Sequence, residues 1–590
     1  MSDKFIFIGI DGMDPTIAEQ MMDDGHLPNF SRLKSQGQYD RLTTTNPPQS
    51  PVVWATIATG ANPGEHGVFD FIERKPGTYI PSLSLFRIER GQYQNPVRSI
   101  TFWERISSEG ISASLLKWPM GFPPRYFEGK LLAGLGVPDI KGMLGTYTLF
   151  TTVPETFPAD AKGRIVPVVP HRGRIDTEIH GPYAASLRGR KEVTCPLKIM
   201  VEGEAAHFLA GKQQFSLREG EWSNWHEVTF DVGLFRSTTG LCRFYLKKLN
   251  PEFVLYMTPV NVGYESSEFP ISTPSGFARE LSRQIEPFAT LGMAEDTNAF
   301  NDGVLDEDEF LALCSSIMDE RERMFFHELS HFKKGLLACV FDTTDRIQHM
   351  FWRMRDSGHP LYNEDLSHRY GDVISGYYRR MDRIIGTVME RFPDACLAVC
   401  SDHGFSTFRR AVHLNTWLVE NGFMVLKSGA KGCEGLFDSV DWSKTKAYAI
   451  GFTSLYLNVH NREKSGSVLS EEISSIKRSL SDKLTGFYDR GQRVIHEVHD
   501  SQTLYHGPEQ PKGPDLVVGY SAGYRASWQT AVGGVPDGPI IEDNLKKWSG
   551  DHCCDASFVP GVFFSNARVE PGIRSVLEIS GLIEKHFGGK

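Results

Sequence analysis

Residues 336–342 are Leu-Leu-Ala-Cys-Val-Phe-Asp, and residues 395–402 are Ala-Cys-Leu-Ala-Val-Cys-Ser-Asp. Each stretch is a short apolar run that ends at a polar residue, which is typical of a strand buried on both faces of a parallel sheet. Between them, apolar residues recur at helical spacing from Asp372 to Arg391. The order strand, helix, strand predicts an α/β fold whose mostly parallel sheet is sandwiched by helices.

A third run of this kind stands at the N-terminus, where Phe5 to Ile10 is followed by Asp11. In α/β sheets, ligands bind at the carboxyl ends of the strands. We therefore expect Asp11, Asp345 and Asp402, which all follow such runs, to lie close together.

A serine begins another informative stretch. Residues 49–60 are Gln-Ser-Pro-Val-Val-Trp-Ala-Thr-Ile-Ala-Thr-Gly. This pattern predicts a short helix with Ser50 as its N-cap, Pro51 as its first residue and Gly60 as its stop. Free amides and the helix dipole would favour an alkoxide and a phosphoryl oxygen at Ser50. An isolated Ser-Pro would more simply be a plain cap, so the interpretation depends on its surroundings.

Three groups of aspartate and histidine supply those surroundings: Asp345-Arg-Ile-Gln-His349, Asp402-His403-Gly404 and Gly550-Asp551-His552. A carboxylate and an imidazole four residues apart can face one ion if the segment is helical. The adjacent Asp402 and His403 are expected to diverge, toward two different partners or toward a metal and a structural contact. Taken singly, such residues at strand ends are mostly turn formers or satisfied hydrogen bonders.

Taken together and in this order, the motifs resemble the type I phosphodiesterase/nucleotide pyrophosphatase branch of the alkaline phosphatase superfamily. That branch has a first-strand Asp, a Thr or Ser nucleophile ahead of a Thr-Gly, an Asp-x-x-x-His, a Ser-Asp-His-Gly and a late Gly-x-His. The matching residues here are Asp11, Ser50 with Thr59-Gly60, Asp345 with His349, 401–404 and 550–552. The matches span nearly the whole chain.

The resemblance implies an alkaline-phosphatase-like core that binds two divalent metal ions. It implies that one ion is held by Asp345, His349 and His552. It implies that the other is held by Asp11, Asp402 and His403, with Ser50 as the nucleophile between them. Nitrogen-plus-carboxylate ligation suits zinc, and manganese is the alternative. The activity implied is phosphodiester hydrolysis through a phosphoseryl intermediate at Ser50.

The chain also departs from the family pattern. Pro51 follows Ser50 directly, where the family has an aromatic residue and then Pro. The family also has an Asn that contacts the phosphoryl oxygen. The corresponding position in this chain is Phe71, beside Asp70. Candidates to bind substrate in its place are Lys117, Arg525 and Asn544. Because this contact is missing, a phosphomonoesterase or phosphotransferase with the same two metals is the alternative function.

The domain organisation is predicted from these motifs and from local pattern. The catalytic core has three parts: 1–162 with the metal-binding Asp and the nucleophile, 262–431 with further metal ligands, and 550–590 with the last metal histidine. Short β-type runs at 197–201, 226–230 and 253–257 predict a β-rich insertion at 163–261. A mixed segment with a helix near 471–484 predicts an α+β cap at 432–549.

The composition limits which binding partners and which cellular compartment we expect. A net charge of -10 argues against a general nucleic-acid surface, which needs a basic stripe. Nine cysteines without a CxxC pair predict reduced thiols rather than a disulfide framework. The apolar run Phe5 to Ile10 is too short for a signal-peptide core or a membrane span. We therefore expect a cytoplasmic protein without a membrane span that acts on a small-molecule phosphoester.

Two rival functions are open from the sequence. His327-Glu-Leu-Ser-His331 fits the HExxH motif of zinc metalloproteases, but flanking apolar residues favour the buried face of a helix. A binding module with a degenerate hydrolase core is the other rival. A degenerate site would lose at least one metal ion, so metal content separates it from an enzyme.

Overall fold

The computed structural model describes residues 2–186, 189–233 and 236–588. The chain divides into two compact units. The first comprises Met1–Arg87, Asn95–Ala113 and Lys333–Lys590, and the second comprises Ile88–Gln94 and Ser114–Phe332. Every residue predicted to bind metal or to act as nucleophile lies in the first unit.

A set of strands and helices in the first unit positions the site. The strands are β1 (Lys4–Ile10), β2 (Gln38–Leu42), β3 (Gly335–Phe341), β4 (Cys396–Cys400), β5 (Ser406–Val412), β6 (Gly523–Ala526), β7 (Gly550–Asp551) and β8 (Gly561–Ser565). The helices are α1 (Pro15–Asp23), α2 (Pro28–Gln36), α3 (Ser50–Thr59), α4 (Thr343–Phe351) and α5 (Val373–Arg391). The strands and the helix predicted around 336–402 are therefore present.

The strands of this unit's main sheet run in the order β2-β8-β4-β1-β3. β1 is parallel to both of its neighbours, since Phe5 pairs with Leu336 of β3 and with Cys396 of β4. β8 is antiparallel to β4, and β2 is antiparallel to β8. The predicted α/β class is confirmed, with a mixed sheet in which the three strands that precede Asp11, Asp345 and Asp402 are parallel.

The burial of the central strand, β1, accounts for its apolar sequence. The side chains from Phe5 to Ile8 are all fully buried, because both faces of β1 are covered. Gly9 lets helix α3 approach the strand, since a Cβ atom there would lie 2.4 Å from the Trp54 ring. This close approach brings the start of α3 beside Asp11.

The segment predicted as a cap contains both strands and a helix. Strands Ala447–Ala449, Ser454–Leu457, Leu516–Tyr520 and Ile495–Asp500 form one antiparallel sheet in that order. The helix Ile473–Thr485 covers the segment predicted to be helical. The α+β content predicted for this segment is present, and the boundaries 432 and 549 stay predictions.

The second unit is rich in antiparallel strands. One four-stranded sheet contains Arg174–Ser186, Gly189–Glu202, Ala205–Ala210 and Gln213–Arg218. Further strands are His226–Gly233, Arg236–Cys242, Phe244–Lys248 and Val254–Met257. The three predicted β-type runs lie in, or within one residue of, these strands. Residues 187, 188, 234 and 235 of the predicted insertion lie outside the described residues. Within the described ranges, no helix has the length and apolar character to span a membrane.

Candidate metal centre

Three carboxylates follow the ends of three neighbouring parallel strands at one edge of the main sheet. Asp11 follows β1 directly, Asp402 lies two residues beyond β4, and Asp345 lies in the first turn of α4, which follows β3. All three are buried. The expectation that the strand ends bring these aspartates together is met.

The first cluster of possible metal ligands is Asp11, Asp402 and His403, whose ligand atoms lie within 4.8 Å of one another. His403 Nε2 lies 3.1 Å from Asp402 Oδ2 and 3.8 Å from Asp11 Oδ1. The sequence predicted that Asp402 and His403 would diverge, and this is wrong. β4 ends at Cys400, so the alternation of a strand no longer applies to them.

The second cluster is Asp345, His349 and His552. Asp345 Oδ1 lies 3.3 Å from His349 Nε2 and 3.7 Å from His552 Nε2. Asp345 and His349 are four residues apart within α4, so the helical spacing predicted for them is present. The two clusters adjoin, because the rings of His403 and His552 stack with centroids 3.6 Å apart.

Backbone carbonyls orient all three histidines in the same way. The Nδ1 atoms of His349, His403 and His552 donate to the carbonyl oxygens of Gly550, Gly404 and Pro48 at 2.7, 2.9 and 2.7 Å. A carbonyl oxygen only accepts, so each Nδ1 carries a proton, and in the neutral form of each ring, which is the form that binds metal, Nε2 presents a lone pair. This is how protein groups hold histidine for metal binding.

The residues fit divalent ions. Asp345 Oδ1 and Asp402 Oδ2 are buried and have no hydrogen-bond partner within the described residues. Each of these oxygens faces a histidine Nε2 that also carries a lone pair, so a cation between the two atoms would satisfy both. A donor set of carboxylates and imidazoles whose ligand atoms lie close together in each cluster suits zinc.

The electrostatics of the cluster indicate a deficit of positive charge. Burial and the neighbouring charges of Asp402 and Asp345 raise the pKa of Asp11 well above its usual value. Burial opposes protonation of His403, yet Asp402 and Asp11 raise the pKa of its ring to about 9. The buried carboxylates thus outweigh the positive charge close to Asp11 and His403, and divalent ions would supply the charge that is missing.

Ser50 lies at the start of α3, and its hydroxyl contacts the first cluster. Ser50 Oγ donates to Asp11 Oδ1 at 3.3 Å and lies 3.1 Å from His403 Nε2. Trp54, one turn later, donates from Nε1 to Asp11 Oδ2 at 2.9 Å. The helix therefore fixes both the hydroxyl and the carboxylate next to it.

The cap of this helix differs from the prediction by one residue. Gln49 is the N-cap and Ser50 is the first helical residue, while Gly60 ends the helix in the left-handed region at φ 66°. The amides of Val52 and Val53 both donate to the Gln49 carbonyl, and Pro51 has no amide hydrogen. The amides of Val52 and Val53 are thus engaged within the helix, and the helix dipole favours negative charge at Ser50.

The three residues predicted to replace the family's Asn all have protein partners. Arg525 Nη1 donates to Asp551 Oδ2 at 2.6 Å, and Asn544 Nδ2 donates to the carbonyls of Phe408 and Trp548. Lys117 lies in the second unit, where Nζ donates to the Ala289 carbonyl at 2.5 Å. Their assignment to substrate stays a prediction.

A structural carboxylate, Asp70, lies beside Phe71, the position at which the family has its Asn. Asp70 is fully buried and accepts hydrogen bonds from the backbone and hydroxyl of Thr453, the backbone of Phe452 and the hydroxyl of Ser454. Its neighbour Phe71 donates its amide to Gln49 Oε1 at 2.7 Å. This region therefore braces the residue that precedes the nucleophile.

We expect Asp70→Asn to destabilise the protein by about 2 kcal/mol, because an amide nitrogen cannot accept these bonds. Its thermal unfolding midpoint should fall, while its metal content stays that of the wild type. If folded, metal-loaded Asp70→Asn lost turnover instead, Asp70 would belong to the reacting site.

Several residues of the centre were not identified from the sequence. Arg346, which is buried, donates from Nη1 to Asp345 Oδ2. Trp548 stacks on the ring of His349 with centroids 3.7 Å apart. Arg346 could have been found from its position next to Asp345 in the sequence. Trp54, which was also missed, could have been found from its spacing of four residues from Ser50. No spacing in the sequence indicated that Trp548 would contact His349.

The HExxH segment does not form a metal cluster. It lies at the end of the helix Glu307–His331 in the second unit, and the buried Glu328 pairs with Lys130. Of the four clusters of metal-capable side chains found in the described part of the chain, none includes His327 or His331. The interpretation of this segment as a packed helix is the better one.

Comparison with known proteins adds an independent result. A family model described as type I phosphodiesterase / nucleotide pyrophosphatase matches residues 5–202 and 257–553. Among solved structures, phosphonoacetate hydrolase from Sinorhizobium meliloti 1021 in complex with phosphonoformate is similar at 11% identity and a TM-score of 0.43, covering 99% of this chain and 96% of that chain. Murine ectonucleotide pyrophosphatase / phosphodiesterase 5 is similar at 9% identity and a TM-score of 0.41, and the match covers 100% of this chain and 95% of that chain. A search of curated proteins gives no match.

Proposed function

The chain belongs to the type I phosphodiesterase/nucleotide pyrophosphatase family, and from this premise we propose that it hydrolyses a phosphodiester by attack of Ser50 at a centre for two divalent metal ions. Family membership makes it a phosphoester hydrolase. The two ions, the diester preference and the covalent intermediate are the proposal. So are zinc rather than manganese, a small-molecule substrate and a cytoplasmic location.

One observation carries the proposal: the Ser50 hydroxyl lies within 3.3 Å of both Asp11 Oδ1 and His403 Nε2. The first of two adjoining clusters of carboxylate and imidazole side chains thus has a hydroxyl group in contact with two of its members. The arrangement fits a reaction in which one cluster serves the nucleophile and the other serves the leaving group. Because Ser50 contacts the Asp11 cluster, we assign the Asp345 cluster to the leaving group.

The proposed reaction has two steps. Ser50 Oγ attacks phosphorus and the bond from phosphorus to the leaving oxygen breaks, so that the leaving alcohol takes up a proton. Water then attacks the phosphoseryl ester, which restores the Ser50 hydroxyl and releases a phosphomonoester. Ions held by the two clusters would lower the pKa of Ser50 and neutralise charge on the phosphoryl oxygens.

The residues of the chain contribute orientation. Trp54 and Ser50 both bind Asp11, so the nucleophile and a ligand are fixed by the same helix. Gly12 donates its amide to Asp402 Oδ1 at 3.0 Å and so fixes a second ligand. Such fixed placement reduces the reorganisation needed to reach the transition state.

A phosphomonoesterase or phosphotransferase is the second candidate, and Asp70 is the observation that keeps it open. The position of the family's Asn is Phe71 here, and the neighbouring Asp70 accepts hydrogen bonds from Phe452, Thr453 and Ser454, so neither side chain offers the phosphoryl contact that Asn makes in the family. Preference between monoester and diester depends on such contacts.

The test is hydrolysis of two substrates by chelator-stripped protein reloaded with Zn²⁺ or Mn²⁺. We expect a higher kcat/KM for bis-p-nitrophenyl phosphate than for p-nitrophenyl phosphate, and no turnover of either by the metal-free protein. Equal or faster turnover of the monoester would replace the diesterase proposal by the phosphatase alternative.

A further inference from the structure

The segment Trp548 to His552 holds two of the three ligands of the Asp345 cluster. It contains the ligand His552 itself, and the Gly550 carbonyl accepts from His349 Nδ1 at 2.7 Å. The ring of Trp548 also stacks on His349. Any shift of this segment would therefore move both histidines at once.

Asp551 fixes the shape of this segment. Its Oδ1 accepts the amides of His552 and Cys553, each at 2.8 Å. Its Oδ2 accepts Trp548 Nε1 at 2.7 Å and Arg525 Nη1 at 2.6 Å. Both oxygens are thus engaged with the chain on either side of β7, so Asp551 acts as the internal brace of the segment.

Arg525 anchors that brace from the segment predicted as a cap. It lies on β6, which pairs with β5, and β5 also pairs with β7. The guanidinium is almost fully buried and lies 4.3, 4.7 and 5.0 Å from the ring centroids of Phe408, Phe452 and Trp528. Aromatic faces on several sides stabilise the cation and restrict its movement.

A buried cation with a single carboxylate partner is energetically coupled to that partner. If Arg525 were removed, Asp551 would remain as a buried and uncompensated charge, which is strongly unfavourable. The local chain would relax to hydrate or neutralise this charge. Because Asp551 also holds Trp548 and His552, that relaxation would reach the ligands.

We propose that Arg525 and Asp551 are positioning residues for the metal ion held by Asp345, His349 and His552. Through Arg525, the segment predicted as a cap thereby helps to hold the metal ligands in place, in addition to any role in substrate access. In this role Arg525 acts through Asp551. This inference rests on the proposed two-metal function.

The test measures metal affinity by competition with a chromogenic chelator, and metal content after gel filtration. We expect Arg525→Met and Asp551→Asn to bind one of the two Zn²⁺ ions about 10- to 100-fold more weakly, as is usual when a partner of a ligand is removed. The other ion should bind as in the wild type. Excess Zn²⁺ should restore turnover, and Arg525→Lys should recover part of the lost affinity.

Arg462→Met is the matched control. Arg462 also lies in the 432–549 segment and pairs with a carboxylate, Asp515, through both of its terminal nitrogens at 2.8 and 2.6 Å. It should lose stability without losing zinc affinity. Equal losses in Arg462→Met and Arg525→Met would overturn the inference, as would wild-type affinity in Arg525→Met. Failure of the wild type itself to bind two ions would instead refute the proposed function.

Discussion

Ser50→Ala should lower turnover of a phosphodiester by about 10³-fold or more while the protein keeps both metal ions. The reason is that the proposed reaction forms its covalent bond at Ser50 Oγ, and removal of a nucleophile has effects of this size. The ligand atoms are unaffected, since Ser50 is a neighbour of Asp11 and His403 rather than a member of either cluster. Steady-state kinetics with parallel metal analysis checks both parts.

Thr59→Ala is the control for this prediction, because it removes a hydroxyl from the far end of the same helix. It should retain wild-type turnover. Mass spectrometry of acid-quenched enzyme adds a direct observation: with bis-p-nitrophenyl phosphate, the wild type should gain one p-nitrophenylphosphoryl group on Ser50. Wild-type turnover by Ser50→Ala would exclude the covalent mechanism.

Asp345→Ala and His552→Ala should each lose one metal ion and most of the activity together. Asp345 Oδ1 lies between two histidine Nε2 atoms, so its removal takes away the central ligand of the cluster. Loss of an ion that stabilises charge on the leaving oxygen removes several kcal/mol of transition-state stabilisation, which corresponds to about 10³-fold or more in rate. Metal analysis of the purified variants measures the first effect, and kinetics measures the second.

His359→Ala is the matched control for the ligand variants. His359 is equally buried, but one ring nitrogen lies 3.0 Å from the Phe408 carbonyl and the other accepts the Leu361 amide. It should bind two ions. If both ligand variants retained two ions, the assignment of the Asp345 cluster would be wrong.

The fold could be predicted from the sequence because it rests on a local pattern, whereas the set of metal ligands was implied by the resemblance to the family. Apolar runs ending in Asp11, Asp342 and Asp402 marked strands, and strand ends in such sheets converge at one edge. The spacing of Asp345 and His349 defined a helical pair in the same way. The pairing of the antiparallel strands β2 and β8 had no comparable signal, because it joins distant parts of the chain.

The environment of the ligands could not be predicted for the same reason. The Pro48 carbonyl that orients His552 lies 504 positions away in the chain, and the Arg525 that braces Asp551 lies 26 positions away on another strand. No spacing rule connects such residues. Arg525 was therefore predicted to bind substrate, whereas its described contacts are with Asp551 and aromatic rings.

The most direct test of the central claim is a titration of metal-free protein with Zn²⁺ in which bound metal and diester turnover are measured together. The two-metal account predicts turnover that remains low until the second equivalent binds and then reaches a plateau at two ions per chain. A plateau at one equivalent, or full turnover by the metal-free protein, would contradict it.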